Sequence, residues 1–247
     1  MNKTTLRKKL IDISGYWLYK KSVLPVGADI TVDIKNKIGI QPRIIFDVGA
    51  NVGQTAKFLT RHFPTATIHS FEPVSSSFEK LSAATSGNPN VRCHHIALSD
   101  VQQQLAIKLF EGSASVLNSI NDHLQNSSEG AKVEMITTNT LDQFIAEHNI
   151  TEIDLLKIDT EGYEIPVLKG SIKALESNKI KMIYLEVGFS RNNVRNTFLT
   201  DIVEFLVQNN FSLFGLYEIH HYDIQNGNHF GNALFVHQNH LKNNTDY

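Results

Sequence analysis

Arg43-Ile44-Ile45-Phe46-Asp47-Val48-Gly49-Ala50-Asn51-Val52-Gly53 is the stretch whose reading decides the fold. Ile44, Ile45 and Phe46 make a near-continuous apolar run, the pattern of a central parallel strand covered on both faces. Asp47 falls where that strand ends. Gly49 and Gly53 accept positive φ, which costs an ordinary L-residue about 1–2 kcal/mol, and without a Cβ they let a ligand lie against the backbone. From Gln54 onward Ala56, Phe58, Leu59 and Phe63 share a helical face, so the unit is strand, glycine turn, helix. In open α/β sheets small molecules bind at such a place.

Charge indicates which ligand. A dinucleotide fingerprint carries Gly-x-Gly-x-x-Gly, with backbone amides turned to a pyrophosphate. Here the spacing is Gly-x-x-x-Gly, and Asp47 is expected at the mouth of the turn, where it would repel a diphosphate and suit an ammonium or sulfonium. A second strand, Thr67 to Phe71, ends in Glu72-Pro73. Glu72 stands where an acid accepts hydrogen bonds from both ribose hydroxyls. A nucleoside bearing positive charge is S-adenosylmethionine, favoured over a nicotinamide cofactor.

Composition sets outer bounds. A chain of 247 residues with 41% hydrophobic residues supports one α/β domain, expected over 41–240 behind an N-terminal helix and connector over 1–40. The formal net charge of −2 and a pI near 6.6, without a basic stripe, argue against a nucleic-acid partner. A single cysteine, Cys93, is read as a small buried hydrophobe and excludes an intramolecular disulfide and a multi-cysteine zinc site. With no apolar run near the roughly 18 residues that span a bilayer and no signal-peptide core, a cytoplasmic location is expected.

Working outward, Thr4 to Lys21 is an amphipathic helix, with Leu6, Leu10, Ile13, Trp17 and Leu18 set against lysines and Arg7. It either packs on the domain or contacts a membrane surface or partner. A helix follows over Ser75 to Ala84, then a strand from Val91 to Leu98. Ala97, Leu98 and Asp100 are candidates to flank an adenine. Leu105 to Phe110 and Val133 to Ile136 read as strands around a polar insertion, a place for substrate selectivity. Thr140 and Gln143 have capping-box spacing at the head of another helix.

The second chemical stretch is Leu155-Leu156-Lys157-Ile158-Asp159-Thr160-Glu161-Gly162. Its strand should lie beside the first, at the topological switch, which carries Asp159 and Glu161 into the crevice of Gly49. Two carboxylates there can ionise a hydroxyl, bind a divalent ion or hold the amino-acid end of the cofactor. A helix cap explains one acid and hardly both. Lys157 is placed with a partner on or beneath the strand. Val167 to Leu175 is read as one crossover helix, Ile180 to Val187 as a strand ending at Glu186, and Thr197 to Val207 as a helix. Phe211 to Tyr217 and Asn232 to Val236 look like an antiparallel pair joined through a hinge. That hinge holds His220, His221, His229 and Asp223, in which fixed metal-ligand spacing is lacking.

With both stretches in view the chain resembles the FkbM family of S-adenosylmethionine-dependent methyltransferases, within the class I methyltransferase fold. Phe46-Asp47-Val48-Gly49-Ala50-Asn51-Val52-Gly53, Phe71-Glu72-Pro73, Ala97-Leu98-Ser99-Asp100, Thr140-Leu141-Asp142, Leu156 through Glu164 and Leu185-Glu186-Val187 carry the resemblance, in family order. It implies a doubly wound, seven-stranded, mostly parallel sheet with an antiparallel C-terminal strand, and methyl transfer to a hydroxyl of a small metabolite, sugar or glycan. By the same mapping Asp47, Gly49, Ala50, Asn51 and Gly53 would hold the methionine part and Glu72-Pro73 the ribose. Ala97, Leu98 and Asp100 would border the adenine, with Asp159 facing sulfonium and acceptor. Asp159 is the expected base, with Glu161, Glu186 or a histidine behind it, and no metal is expected, although Asp159 and Glu161 could bind magnesium. An NAD(P)-dependent oxidoreductase and a non-catalytic nucleoside-binding protein of this fold stay open.

Overall fold

The structure, a computed structural model, describes residues 3–15, 19, 24–109, 132–193, 195–223, 225 and 228–241. The chain enters through α1 (Lys3–Ser14) and α2 (Ile30–Val32), which runs on as a π-helical turn, Asp33–Ile38. There follow β1 (Ile44–Val48), α3 (Gln54–His62), β2 (Thr67–Phe71), α4 (Ser75–Thr85), β3 (Val91–His94), β4 (Ala97–Leu98), β5 (Gln103–Leu109) and β6 (Lys132–Asn139). Next are α5 (Leu141–Glu147), β7 (Leu155–Ile158), α6 (Glu164–Lys169), α7 (Ile172–Glu176), β8 (Met182–Gly188) and α8 (Leu199–Gln208). A hairpin of β9 (Phe211–Asp223) and β10 (Asn228–His237) closes the fold.

Seven strands form the main sheet in the order β3-β2-β1-β7-β8-β10-β9. The first five are parallel, whereas β10 runs antiparallel to both of its neighbours. Chain order reverses between β1 and β7, so the carboxyl ends of these two strands face a shared crevice. Alternation along each strand divides the core. Phe46, Val48, Leu156 and Ile158 join the aromatic core around Phe71 and Phe144. Ile45 and Leu155 face α2 and α3, against Ile34, Leu59 and Phe63. Asp47 and Lys157, two residues further along each strand, follow Ile45 and Leu155 to that face and sit opposite each other in register.

Several elements differ from expectation. The strand read over Val91 to Leu98 divides: β3 stays in the main sheet, while Ala97 and Leu98 pair in parallel with Thr138 and Asn139 of β6 in a small second sheet, β4-β6-β5. The single crossover helix is two, because at Gly170 the backbone passes so near β4 that a Cβ would lie 1.8 Å from the Ser99 carbonyl oxygen. The hinge from Glu218 to His229 is largely strand. Thr140 forms half of the expected capping box, accepting from the Gln143 amide at 3.1 Å, while the Gln143 side chain donates to Glu147 at 2.8 Å instead.

The N-terminal segment also departs from the reading. α1 stops at Ser14, followed by Gly15 at φ +69°, and Trp17, Leu18, Lys20 and Lys21 lie outside the described residues. Leu6 and Ile13 are exposed, and no α1 side chain among the described residues belongs to the core. The connector instead contains α2, unforeseen from periodicity because it spans little more than two turns. Asp29 caps it by accepting from the Thr31 and Val32 amides, and buried Asp33 accepts from the Tyr217 hydroxyl at 2.8 Å. α2 thus packs as part of the domain that was expected to begin at residue 41. The polar insertion over 112–130 falls outside the described residues.

Candidate active site

A cavity of about 440 Å³ opens at the carboxyl ends of β1, β2, β7 and β8. Its floor is the glycine turn. Gly49 and Ala50 both donate their amides to the Phe71 carbonyl, at 3.1 and 3.0 Å, and Asn51 is left-handed at φ 47°. The turn was read as bare so that a ligand could touch it. At Gly49 the reason is internal: a Cβ there would lie 1.9 Å from the Asp159 carbonyl oxygen, so the glycine lets the β1 and β7 loops meet. Gly53, at φ 90°, caps α3 and does not line the cavity; an added Cβ would lie 3.1 Å from Leu81 Cδ1.

Glu72 closes one side. One carboxylate oxygen accepts from the Asn51 amide and the other from the Val74 amide, both at 2.9 Å, so this acid also fixes the turn. Burial pushes it up to about 7, against the pull of those two amides and of Lys157. Pro73, Val74, Ala97, Leu98 and Ile107 continue the wall as an apolar slot, with Tyr163 held to Ser99 at 3.0 Å. Ala97 and Leu98 therefore reach the cavity despite leaving the main sheet. Asp100 does not; it is exposed and accepts from the Ser99 hydroxyl at 3.0 Å.

Asp47 requires the main correction. Its side chain is wholly buried below the turn rather than at the mouth, and neither oxygen has a hydrogen bond of good geometry. Lys157 Nζ lies 3.2 Å from one of them, 3.3 Å from Asp159 and 3.4 Å from the Gly49 carbonyl, to which it donates. Burial raises the Asp47 carboxyl, with Lys157 opposing, and Lys157 is held above the ordinary lysine range because its two acids outweigh its own burial. The partner of Lys157 that reaches the cavity is Asp159, whose side chain is 40% exposed. Sequence places Lys157 beneath the strand; what it did not reveal is one cation serving both acids.

Beyond Asp159 the loop is clipped from below by buried Glu164, which accepts from the Thr160 amide and hydroxyl at 3.1 Å, from the Gly162 amide at 3.2 Å and from the Thr197 hydroxyl. The clip holds Glu161 at φ 53°, a strained conformation that turns its carboxylate into the cavity. Oxygens of Asp159, Glu161 and Glu186 come within 4.8 Å of one another. Arg195 takes Glu161 in a two-pronged ion pair, Nη2 to Oε1 at 2.7 Å and Nε to Oε2. Glu186 receives only the Asn196 amide on Oε2, and no cation pairs with it among the described residues. Burial, then Asp159 and Glu161, push Glu186 well above the carboxylate range.

Three carboxylates at this spacing could surround a divalent ion, but Lys157 and Arg195 already compensate two of them. Arg195 and Phe230, which also line the cavity, were missed from sequence: an isolated Arg in a polar loop and a Phe in an apparent hinge carry no periodic signal. Gln54 and Thr55, at the head of α3, line it as well. They also line a second hollow of about 260 Å³ under α2 and α3, which Asp159 joins to the first. His220 and His221 are exposed on β9 and His229 sits on β10; none lines the cavity. No helix among the described residues is long and apolar enough to cross a membrane.

The chain is 26% identical over 152 residues to the hexuronic acid methyltransferase AglP of Haloferax volcanii, covering 61% of this chain and 59% of that protein. It is 27% identical over 171 residues to the 31-O-demethyl-FK506 methyltransferase FkbM of Streptomyces tacrolimicus, covering 58% and 65%. The chain thus spans less than two thirds of either relative. Among solved structures, TrmK of M. capricolum in complex with S-adenosyl-homocysteine superposes with a TM-score of 0.46 at 10% identity, over 83% of this chain and 66% of that one. The family model described as the methyltransferase FkbM domain matches residues 47–213, from the acid near the end of β1 to the start of β9, and the chain belongs to that family.

Proposed function

We propose that this protein transfers a methyl group from S-adenosylmethionine to a hydroxyl of a small metabolite or sugar. The observation that carries the reading is that Glu72, the apolar slot of Ala97 and Leu98, and Asp159 line one cavity around the glycine turn. An acid for a ribose, a flat apolar slot for a base and a negative charge for a sulfonium are the donor set that an adenosyl sulfonium needs. The relatives' names support a small acceptor, one naming a hexuronic acid and the other 31-O-demethyl-FK506.

When bound, the cofactor supplies an electrophilic methyl on a positively charged sulfur. The chain's residues do the rest. Glu72 would accept from the ribose, and Asn51 and Gln54 would border the amino-acid end. Asp159, with Lys157 Nζ 3.3 Å behind it, would place its carboxylate beside the sulfonium. Alignment of acceptor and methyl can lower a barrier by roughly 7–11 kcal/mol. An alcohol also has to lose its proton, which a positioned base accelerates by about 10²–10⁴-fold. Asp159, the first choice from sequence, is already engaged by the Lys157 ammonium 3.3 Å away. Glu186, in no ion pair among the described residues and with its affinity for protons raised, would take that role in its ionised form.

The test is incorporation of labelled methyl from the cofactor into an extract of the protein's own host, followed by identification of the labelled metabolite. A small hydroxylated product formed by wild type and not by Glu186→Gln supports the reading. Label appearing in nucleic acid or protein, or none with wild type, overturns it.

A further inference from the structure

β9 and β10 run past the end of β8, whose pairing with β10 stops at Gly188 opposite Phe230, while the hairpin continues to Asp223 opposite Asn228. On one face of this projection three rings gather. His220 stacks on Tyr222, with centroids 5.6 Å apart and planes 7° from parallel, and the Phe230 ring lies 5.4 Å from the first and 5.9 Å from the second. Phe230 lines the cavity with Asp159, Glu161 and Glu186, so the rings extend the cavity wall outward. Holding the hairpin together does not consume them: His220 is exposed and Tyr222 is 70% exposed. Such an apolar surface beside a polar site marks a binding face.

We propose that this wall and the three carboxylates bind the acceptor as an uncharged pyranose, in a deepening that rests on the methyl-transfer reading of the same cavity. A pyranose presents a flat C–H face to aromatic rings and a rim of hydroxyls, each a donor. The carboxylates are acceptors only, apart from a protonated Glu186, and hydroxyl donors satisfy them. A wholly apolar acceptor would desolvate these acids without replacing their hydrogen bonds, which is costly. An anionic acceptor would bring like charge against Asp159 and Glu161, while the nearby cations, Lys157 and Arg195, already hold both of those acids. The wall therefore selects a neutral sugar, in contrast to the hexuronic acid in the name of one relative.

Saturation-transfer NMR on the full chain, with S-adenosylhomocysteine saturating, tests this with the methyl pyranosides of glucose, galactose, mannose and rhamnose and with methyl glucuronide. The expected result is saturation of the ring C–H protons of at least one neutral pyranoside and a weaker signal from the glucuronide. Tyr222→Ala and Phe230→Leu should each reduce the signal at least fivefold and leave S-adenosylhomocysteine affinity within twofold of wild type. Tyr222 is so exposed that its loss does not threaten the fold. Absence of every neutral pyranoside signal from a chain that binds S-adenosylhomocysteine overturns the pyranose wall and spares the cofactor reading. A preference for the glucuronide, or an undiminished signal in Tyr222→Ala and Phe230→Leu, overturns it as well. Pyranoside binding without S-adenosylhomocysteine binding supports the wall and sinks the cofactor reading instead.

Discussion

Glu186 and Asp159 carry the same functional group, and their neighbours make them different. Asp159 has a buried ammonium at 3.3 Å, and Glu186 has an amide and two acids. Glu186→Gln is therefore expected to lower kcat by about 10²-fold or more, within the usual range for a general base, with little change in cofactor affinity. Steady-state kinetics on the metabolite found in extract, beside calorimetry, checks both halves; an unchanged kcat would return the role to Asp159. Glu72 gives a pH dependence. Its carboxyl is held near 7, and ribose hydroxyls donate to the ionised form, so binding favours loss of its proton. Affinity for S-adenosylhomocysteine should thus climb with pH up to about 7 and level off above, and Glu72→Gln should flatten the curve. The sequence could show that acids end these strands. It could not show which acid is buried, since each simply follows an apolar run; pairing sets Asp47 inside β1 opposite Lys157 and leaves Asp159 one residue past the end of β7.

At the scale of elements, β1 and β7 are joined by more than their ladder. Lys157 ties Asp47 across the pair in register and reaches the turn at Gly49, so removing one partner leaves a buried charge uncompensated. Lys157→Met should destabilise the chain by about 3–5 kcal/mol, and adding Asp47→Asn should recover a good part of that, as urea titrations of the single and double variants would show. Equal destabilisation by both would remove the pair from its structural role. Gly49→Ala should cost about 1–3 kcal/mol by overpacking against the Asp159 carbonyl, in addition to the strain of positive φ, and should weaken cofactor binding with it. The strands and longer helices were legible because period-two runs and helical faces repeat over several residues. α2 escaped because it is short, and the break between β3 and β4 escaped because pairing with β6 depends on a segment some forty residues away. The hairpin tip looked like a hinge since its histidines and Asn-Gly residues hide the alternation that pairing restores.

Across the whole molecule, the order β3-β2-β1-β7-β8-β10-β9 gathers the chemistry of distant segments at one edge. The two sequence motifs with glycine and acid in fixed spacing announced that edge; the loop that supplies Arg195 and the strand that supplies Phe230 did not. Lys157 and Arg195 already pair with Asp159 and Glu161 at this edge, so methyl incorporation should be unchanged in excess EDTA, and loss of activity restored by magnesium would reassign the carboxylates to a metal. The account as a whole depends on the cavity at β1, β2 and β7 taking an adenosyl sulfonium. Calorimetric titration of wild type and Glu72→Gln with S-adenosylhomocysteine, and of wild type with NAD, tests that most directly. The account predicts one site for S-adenosylhomocysteine, at least tenfold weaker in Glu72→Gln, and no heat with NAD; binding of NAD, or an affinity for S-adenosylhomocysteine indifferent to Glu72, would contradict it.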